Sequence, residues 1–103
     1  MEIQPNVKYG EHYKKINTVN AQTYKAHLKN YKHEIGEVVP ADKKARILDI
    51  GCGVGFLLYF LSEQKFSALH GIDNSKEQIE TAKQYCPGDI KFSVIDAAVF
   101  LEQ

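Results

Sequence analysis

The run Gly51-Cys52-Gly53-Val54-Gly55, set between two apolar segments, constrains this chain more than any other feature. Glycines at alternate positions permit a tight turn and let another group approach the backbone where any Cβ would collide. Ala45 to Ile50, before the run, reads as a buried strand, and Phe56 to Gln64, after it, reads as a helix. Strand, glycine turn and helix in that order are the layout of a ligand-binding turn at the carboxyl end of a first parallel strand. A dinucleotide fingerprint, G-x-G-x-x-G, needs its third glycine at position 56, which here is Phe56, so a pyrophosphate-binding turn fits poorly.

The alternation continues to the end of the chain. Ser67 to Asp73 reads as a second strand, Lys76 to Tyr85 as a helix, Ile90 to Ile95 as a third strand, and Ala97 onward as the start of another helix. Ser75-Lys76-Glu77-Gln78 has the form of a capping box, in which Ser accepts from an early backbone N–H and Gln reaches back. Ile90, Phe92 and Val94 alternate with Lys91 and Ser93, the pattern of an edge strand with one wetter face. A β-α-β-α-β order implies parallel strands with right-handed crossovers, hence an α/β fold. Upstream, Ala21, Tyr24, Leu28, Tyr31, Ile35, Val38 and Val39 recur at steps of three and four, predicting an amphipathic helix over 20–39 with Asn20 as N-cap. Val39-Pro40-Ala41-Asp42 is a joint within one domain, between a helical segment (1–40) and the strand-containing unit (41–103).

A length of 103 residues, with 44% hydrophobic and 25% charged residues, suits a single small globular core. No run of about 18 apolar residues exists to span a bilayer, and the start lacks the layout of a secretory signal, so a cytoplasmic location is expected. Cys52 and Cys86 show no CxxC spacing and no Cys/His cluster; they read as free thiols, and no metal site is expected. Residues 1–46 hold nine Lys/Arg against five Asp/Glu, and residues 47–103 four against eight. That asymmetry is modest beside dedicated nucleic-acid binders, and a solvated helix face accounts for it. His12, His27, His33 and His70 belong to no assignable triad or metal set and read as surface or packed residues.

Asp49, Asp73 and Asp96 each stand at a strand end, so parallel strands place them along one rim of the sheet. Together with Ile47-Leu48-Asp49-Ile50-Gly51-Cys52-Gly53-Val54-Gly55, these positions carry a resemblance. The run resembles the first motif of class I S-adenosylmethionine-dependent methyltransferases, and Gly71-Ile72-Asp73 and Val94-Ile95-Asp96-Ala97 agree at the next two strand ends. The resemblance covers roughly residues 20 to 103. It implies a Rossmann-like, three-layer fold cut to its first three parallel strands, in the order 3-2-1, with S-adenosylmethionine as cofactor. By similarity, Asp49 and the backbone of Gly51, Cys52 and Gly53 hold the methionine part, Gly55 completes the same cofactor-binding turn, and Asp73 accepts from both ribose hydroxyls. Asp96 and the Ala97 backbone meet the adenine edge, with Ile72 and Asn74 against the ring. Two of these acids have a plainer alternative: Asp96 as the N-cap of the last helix, and Asp73 as a loop acid before Ser75. In similar enzymes a leading segment closes over the cofactor, which makes Tyr9 and Tyr13 candidates for a lid.

Sheets of this family continue past the third strand, with a fourth strand beside the first. The expectation is therefore a truncated domain, negligible in turnover by itself, with its methyl acceptor and any general base unassigned. The first strand is expected to expose an unpaired apolar edge, and one sheet face to be covered only by the segment from Ala97, which favours self-association. Two rivals remain: half of an NAD(P)-dependent oxidoreductase, and a noncatalytic Rossmann-like domain that binds a partner through its basic, tyrosine-rich helix.

Overall fold

The computed structural model describes residues 19–37 and 39–102. The expectations for Tyr9, Tyr13, His12 and Val38 fall outside them. The described elements are α1 (Ala21–Ile35), β1 (Arg46–Ile50), α2 (Phe56–Glu63), β2 (Ala68–Asp73), α3 (Lys76–Tyr85), β3 (Lys91–Val94) and α4 (Ala97–Leu101).

Helix α1 starts where the sequence predicts. The Asn20 side chain accepts from Thr23 N–H at 3.0 Å, and Thr23 Oγ1 accepts from Asn20 N–H at 3.2 Å, a reciprocal cap at the two ends of the first turn. It stops earlier than its apolar pattern predicts, at Ile35 rather than residue 39, because Gly36, among the poorest helix formers, follows. Tyr24, Leu28, Tyr31 and Ile35 pack on the core as expected, whereas Ala21 is exposed.

The three strands are parallel, with β2 between β1 and β3. The register sets Asp49 opposite Gly71 and Gly71 opposite Phe92, so these residues, and with them Asp73 two positions on, share one face. Helices α2 and α3 cover that face: Leu58, Phe60, Leu61, Ile79 and Ala82 are buried with Leu69 and Phe92. Full burial of a Leu, Ile or Phe side chain contributes about 1.5–3 kcal/mol. Strand β1 is not the buried strand its apolar run suggests. It lies at the sheet edge, and its residues alternate, with Leu48 38% and Ile50 47% exposed while Ile47 and Asp49 are half-buried. Their face is met by α4, whose Phe100 ring stands edge-on to His70 at 5.7 Å. Strand β3 is the other edge; Ile90 and Phe92 are buried, but Val94 at its end is exposed. No helix among the described residues is long and apolar enough to cross a membrane.

Candidate functional site

The turn from β1 to α2 is built of alternating left-handed glycines: φ is 73° at Gly51, 57° at Gly53 and 86° at Gly55. Its backbone donors are tied to the neighbouring strand. Gly51 N–H and Cys52 N–H both donate to Ile72 O at 2.9 Å, and Gly53 N–H donates to Asp73 Oδ2 at 2.9 Å. Gly55 is the N-cap of α2, and its N–H donates to Cys52 O at 3.0 Å.

Asp73 closes β2 and holds two chain segments at once, because its second oxygen, Oδ1, accepts from Ser75 N–H at 2.9 Å. That bond explains why the capping box of α3 forms only in half. Ser75 Oγ accepts from Gln78 N–H at 3.2 Å, but the Ser75 N–H that Gln78 would satisfy is already taken by Asp73. The Gln78 side-chain oxygen instead lies beside Gly53, 3.3 Å from where a Cβ would be. Asp49 is half-buried on the same face, and burial together with the Asp73 charge raises its carboxyl above the usual range. Asp96 does cap the last helix: its Oδ1 accepts from Ala98 N–H at 2.8 Å and Val99 N–H at 3.4 Å. The helix reading of Asp96 therefore holds, and so does the loop-acid reading of Asp73. Neither exhausts a carboxylate, which has about four acceptor sites on its two oxygens.

At the carboxyl ends of the strands lies a cavity of about 180 Å³, lined by Ile50, Gly51, Ile72, Asp73, Asn74, Ile95, Asp96 and Ala97. Six of the ten residues picked from the motifs meet here: Gly51, Ile72, Asp73, Asn74, Asp96 and Ala97. Asp49, Cys52, Gly53 and Gly55 do not line it. Cys52 turns toward the sheet, where its sulfur would be 2.8 Å from a Cβ at Gly71, and Gly55 is buried against Cys86, Phe92 and Ala82. Ile50 and Ile95, which sequence reasoning did not single out, complete the wall; each directly precedes a motif residue at a strand end, a signal that was there to be used.

Both thiols are protonated at neutral pH, since burial first, and for Cys52 the charges of Asp49 and Asp73 next, push each up to about 12. Among the described residues the histidines divide as packed and surface groups: His27 stacks on Phe56 at 4.1 Å, His33 is exposed, and His70 pairs with Ser93 Oγ at 3.0 Å. Burial and Lys91 hold the His70 ring below its usual pKa. No cluster able to hold a metal ion occurs among the described residues.

Parallel strands, a glycine turn after the first of them and a cavity at their carboxyl ends define a Rossmann-like α/β domain. Residues 41–100 match the family described as Methyltransferase domain, and the chain belongs to that family. An uncharacterized protein of Rickettsia prowazekii (strain Madrid E), RP028, is 42% identical over 65 residues, which make up 62% of this chain and 26% of that protein. The PH0226 protein of Pyrococcus horikoshii OT3 superposes with a TM-score of 0.66 at 25% identity, over 87% of this chain and 44% of its own. The plantazolicin methyltransferase BpumL, solved in complex with a monoazolic desmethylPZN analog and SAH, gives a TM-score of 0.53 at 27% identity, over 86% of this chain and 34% of its own. A SAM dependent methyltransferase from Archaeoglobus fulgidus shares the fold at 24% identity and a TM-score of 0.57, over 92% of this chain and 38% of its own. The chain thus spans about a quarter of the Rickettsia relative.

Proposed function

We propose that this chain binds S-adenosylmethionine at the carboxyl ends of its strands and supplies that cofactor site to a methyltransferase. One observation carries the reading: the cavity at the strand ends is lined by Ile72, Asp73, Asn74, Asp96 and Ala97, the five residues that the family resemblance assigns to the adenosyl group, together with Gly51 of the turn assigned to the methionine part. Gly51 supplies the test of fit. It lines the cavity, and beyond its chain neighbours a Cβ there would meet no protein atom within 4 Å, so close packing is not what keeps a side chain out of this position. The relative BpumL, with the same fold at 27% identity, was solved with SAH, the demethylated form of this cofactor.

In this reading Asp73 shares its remaining acceptor sites with the ribose diol, and Asp96 and the Ala97 backbone take the adenine edge. Ile72 and Asn74 lie against the ring, with Ile50 and Ile95 adding apolar wall. The N–H groups of Gly51, Cys52 and Gly53 are engaged by Ile72 and Asp73, so the turn shapes the site through its curvature rather than by offering free donors. Asp49, close to Asp73, adds a second carboxyl group on the side where the positive methionine part arrives. The bound cofactor brings a methyl group already activated on sulfur, and the task left to these residues is to hold and orient it. A dinucleotide fits less well: its diphosphate would face Asp73 and Asp96 and a turn whose N–H groups are already engaged.

The test is calorimetric titration of the chain with S-adenosylhomocysteine and with NAD. Saturable binding of the first alone supports the proposal, and preference for NAD sinks it. For assembly, the edge position of β1 and the exposure of Leu48, Ile50, Val99 and Leu101 support self-association of two copies through this strand or face. Sedimentation showing only monomer at high micromolar concentration rules that out.

A further inference from the structure

A turn with three left-handed glycines has few side chains to fix its shape, and free glycine loses more conformational entropy on ordering than any other residue. Strand β2 fixes the amide side of this turn. The carbonyl side is reached by a residue from outside the family-matched segment: the Tyr24 hydroxyl of α1 donates to Val54 O at 2.5 Å. Tyr24 is 1% exposed, and its ring is caged by Phe56 at 4.8 Å, Tyr59 at 5.3 Å and Tyr85 at 5.4 Å between centroids. Two of those rings belong to α2, which the turn introduces, and the third closes α3. A ring wedged among three others has one place for its oxygen, so the hydroxyl is a fixed post to which the backbone at Val54 is tied.

We infer that Tyr24 is a positioning residue for the ligand turn: caged against α2 and α3 and bonded to Val54 O, it lets α1 set how well the turn is preorganised without touching the ligand. The effect on affinity rests on the cofactor reading above, whereas the effect on the turn itself does not. Packing alone would need only the ring, and Phe would serve as well. The hydroxyl adds a directed bond to the one side of the turn that the sheet does not reach.

The experiment compares the wild-type chain with Y24F and, as a control from the same aromatic cage, Y59F. Amide hydrogen exchange by NMR reads the turn, and calorimetric titration reads S-adenosylhomocysteine affinity. Y24F is expected to speed exchange at Gly53, Gly55 and Tyr59 N–H while leaving β2 protected, and to weaken binding about three- to tenfold, the range of one lost hydrogen bond. Y59F should leave both within twofold of wild type. Equal affinity and equal exchange in Y24F would contradict the inference. So would faster exchange spread evenly through β2 and α3, the signature of a merely structural residue. Should the wild-type chain bind no S-adenosylhomocysteine, the cofactor reading fails, and the exchange comparison still decides the role of Tyr24.

Discussion

At Gly51 an added Cβ would meet no atom within 4 Å, whereas at Gly55 it would lie 3.0 Å from Cys86 Sγ and 3.3 Å from Phe92. Both glycines have left-handed backbone in one turn, with φ of 73° and 86°, yet they face different regions of the molecule. Gly51 belongs to the mouth, with Asp73 and Asp96, where empty space is kept against the protein's own packing. Gly55 belongs to the floor, with Gly71, where absence of a side chain lets α2 and α3 close on the sheet. A Cβ at Gly71 would come within 2.5 Å of Leu58 Cδ1 and 2.8 Å of Cys52 Sγ. The repeated glycines of one motif thus meet two different packing environments, open at Gly51 and crowded at Gly55.

The sharpest break in that division is expected on the floor. Gly71→Ala forces Leu58, Cys52 and Phe92 apart and should cost about 2–3 kcal/mol, lowering the melting temperature by roughly 10 °C or more. A thermal scan that leaves the midpoint unchanged would mean that α2 does not pack this closely. Next comes Asp73→Asn, at the seam of the two regions. Two backbone N–H groups point at its two oxygens, and an amide accepts through only one, so stability should fall by about 1–2 kcal/mol. Loss of the charge-assisted contacts should also weaken S-adenosylhomocysteine binding about tenfold, read by calorimetry.

Asp49 lies beneath the turn and yields a pH signature. Burial and then the Asp73 charge raise its carboxyl above the ordinary 3.8, so the folded state binds this proton more tightly than the unfolded chain. Below the ordinary value both states are protonated and the effect vanishes. As pH rises from there through the raised value, ionisation becomes unfavourable in the fold and stability is lost. Asp49→Asn should therefore resist urea better than wild type at pH 7 and equally well near pH 3, while binding cofactor less tightly at pH 7. The same gain at both pH values would contradict this origin. The smallest effect is expected of Asp96→Asn, because Asn caps a helix about as well as Asp. Its melting temperature should stay within about 2 °C of wild type, so any change in affinity reports the ligand side of Asp96 alone.

The mouth was far more legible in the sequence than the floor. Its acids had to stand at strand ends, and the parallel order then brought Asp73 and Asp96 to one cavity with Gly51. The floor depends on distances between elements that lie far apart in sequence. Nothing in the segment around Gly71 announces that Leu58 and Cys52 will press on it, and Gly55 looks the same as Gly51 until α3 brings Cys86 and Ala82 beneath it. Local signals failed where a tertiary contact took their partner. Gln78 does not reach back to Ser75 because Asp73 arrives first, and α1 ends at Ile35 although its apolar spacing continues. Tyr24 showed only as one member of a helical stripe, since its bond to Val54 joins residues 30 apart in sequence.

The division between mouth and floor is tested most directly by Gly51→Ala, followed by thermal unfolding and by titration with S-adenosylhomocysteine. With open space at this position, the substitution should cost only the left-handed backbone strain, about 1–2 kcal/mol, and leave a folded chain. Gly51 lines the cavity, so the added methyl group is expected to crowd a bound ligand and weaken binding tenfold or more, by about 1.4 kcal/mol at least. A folded Gly51→Ala chain that binds S-adenosylhomocysteine as well as wild type would show that the ligand does not occupy the space this glycine keeps open.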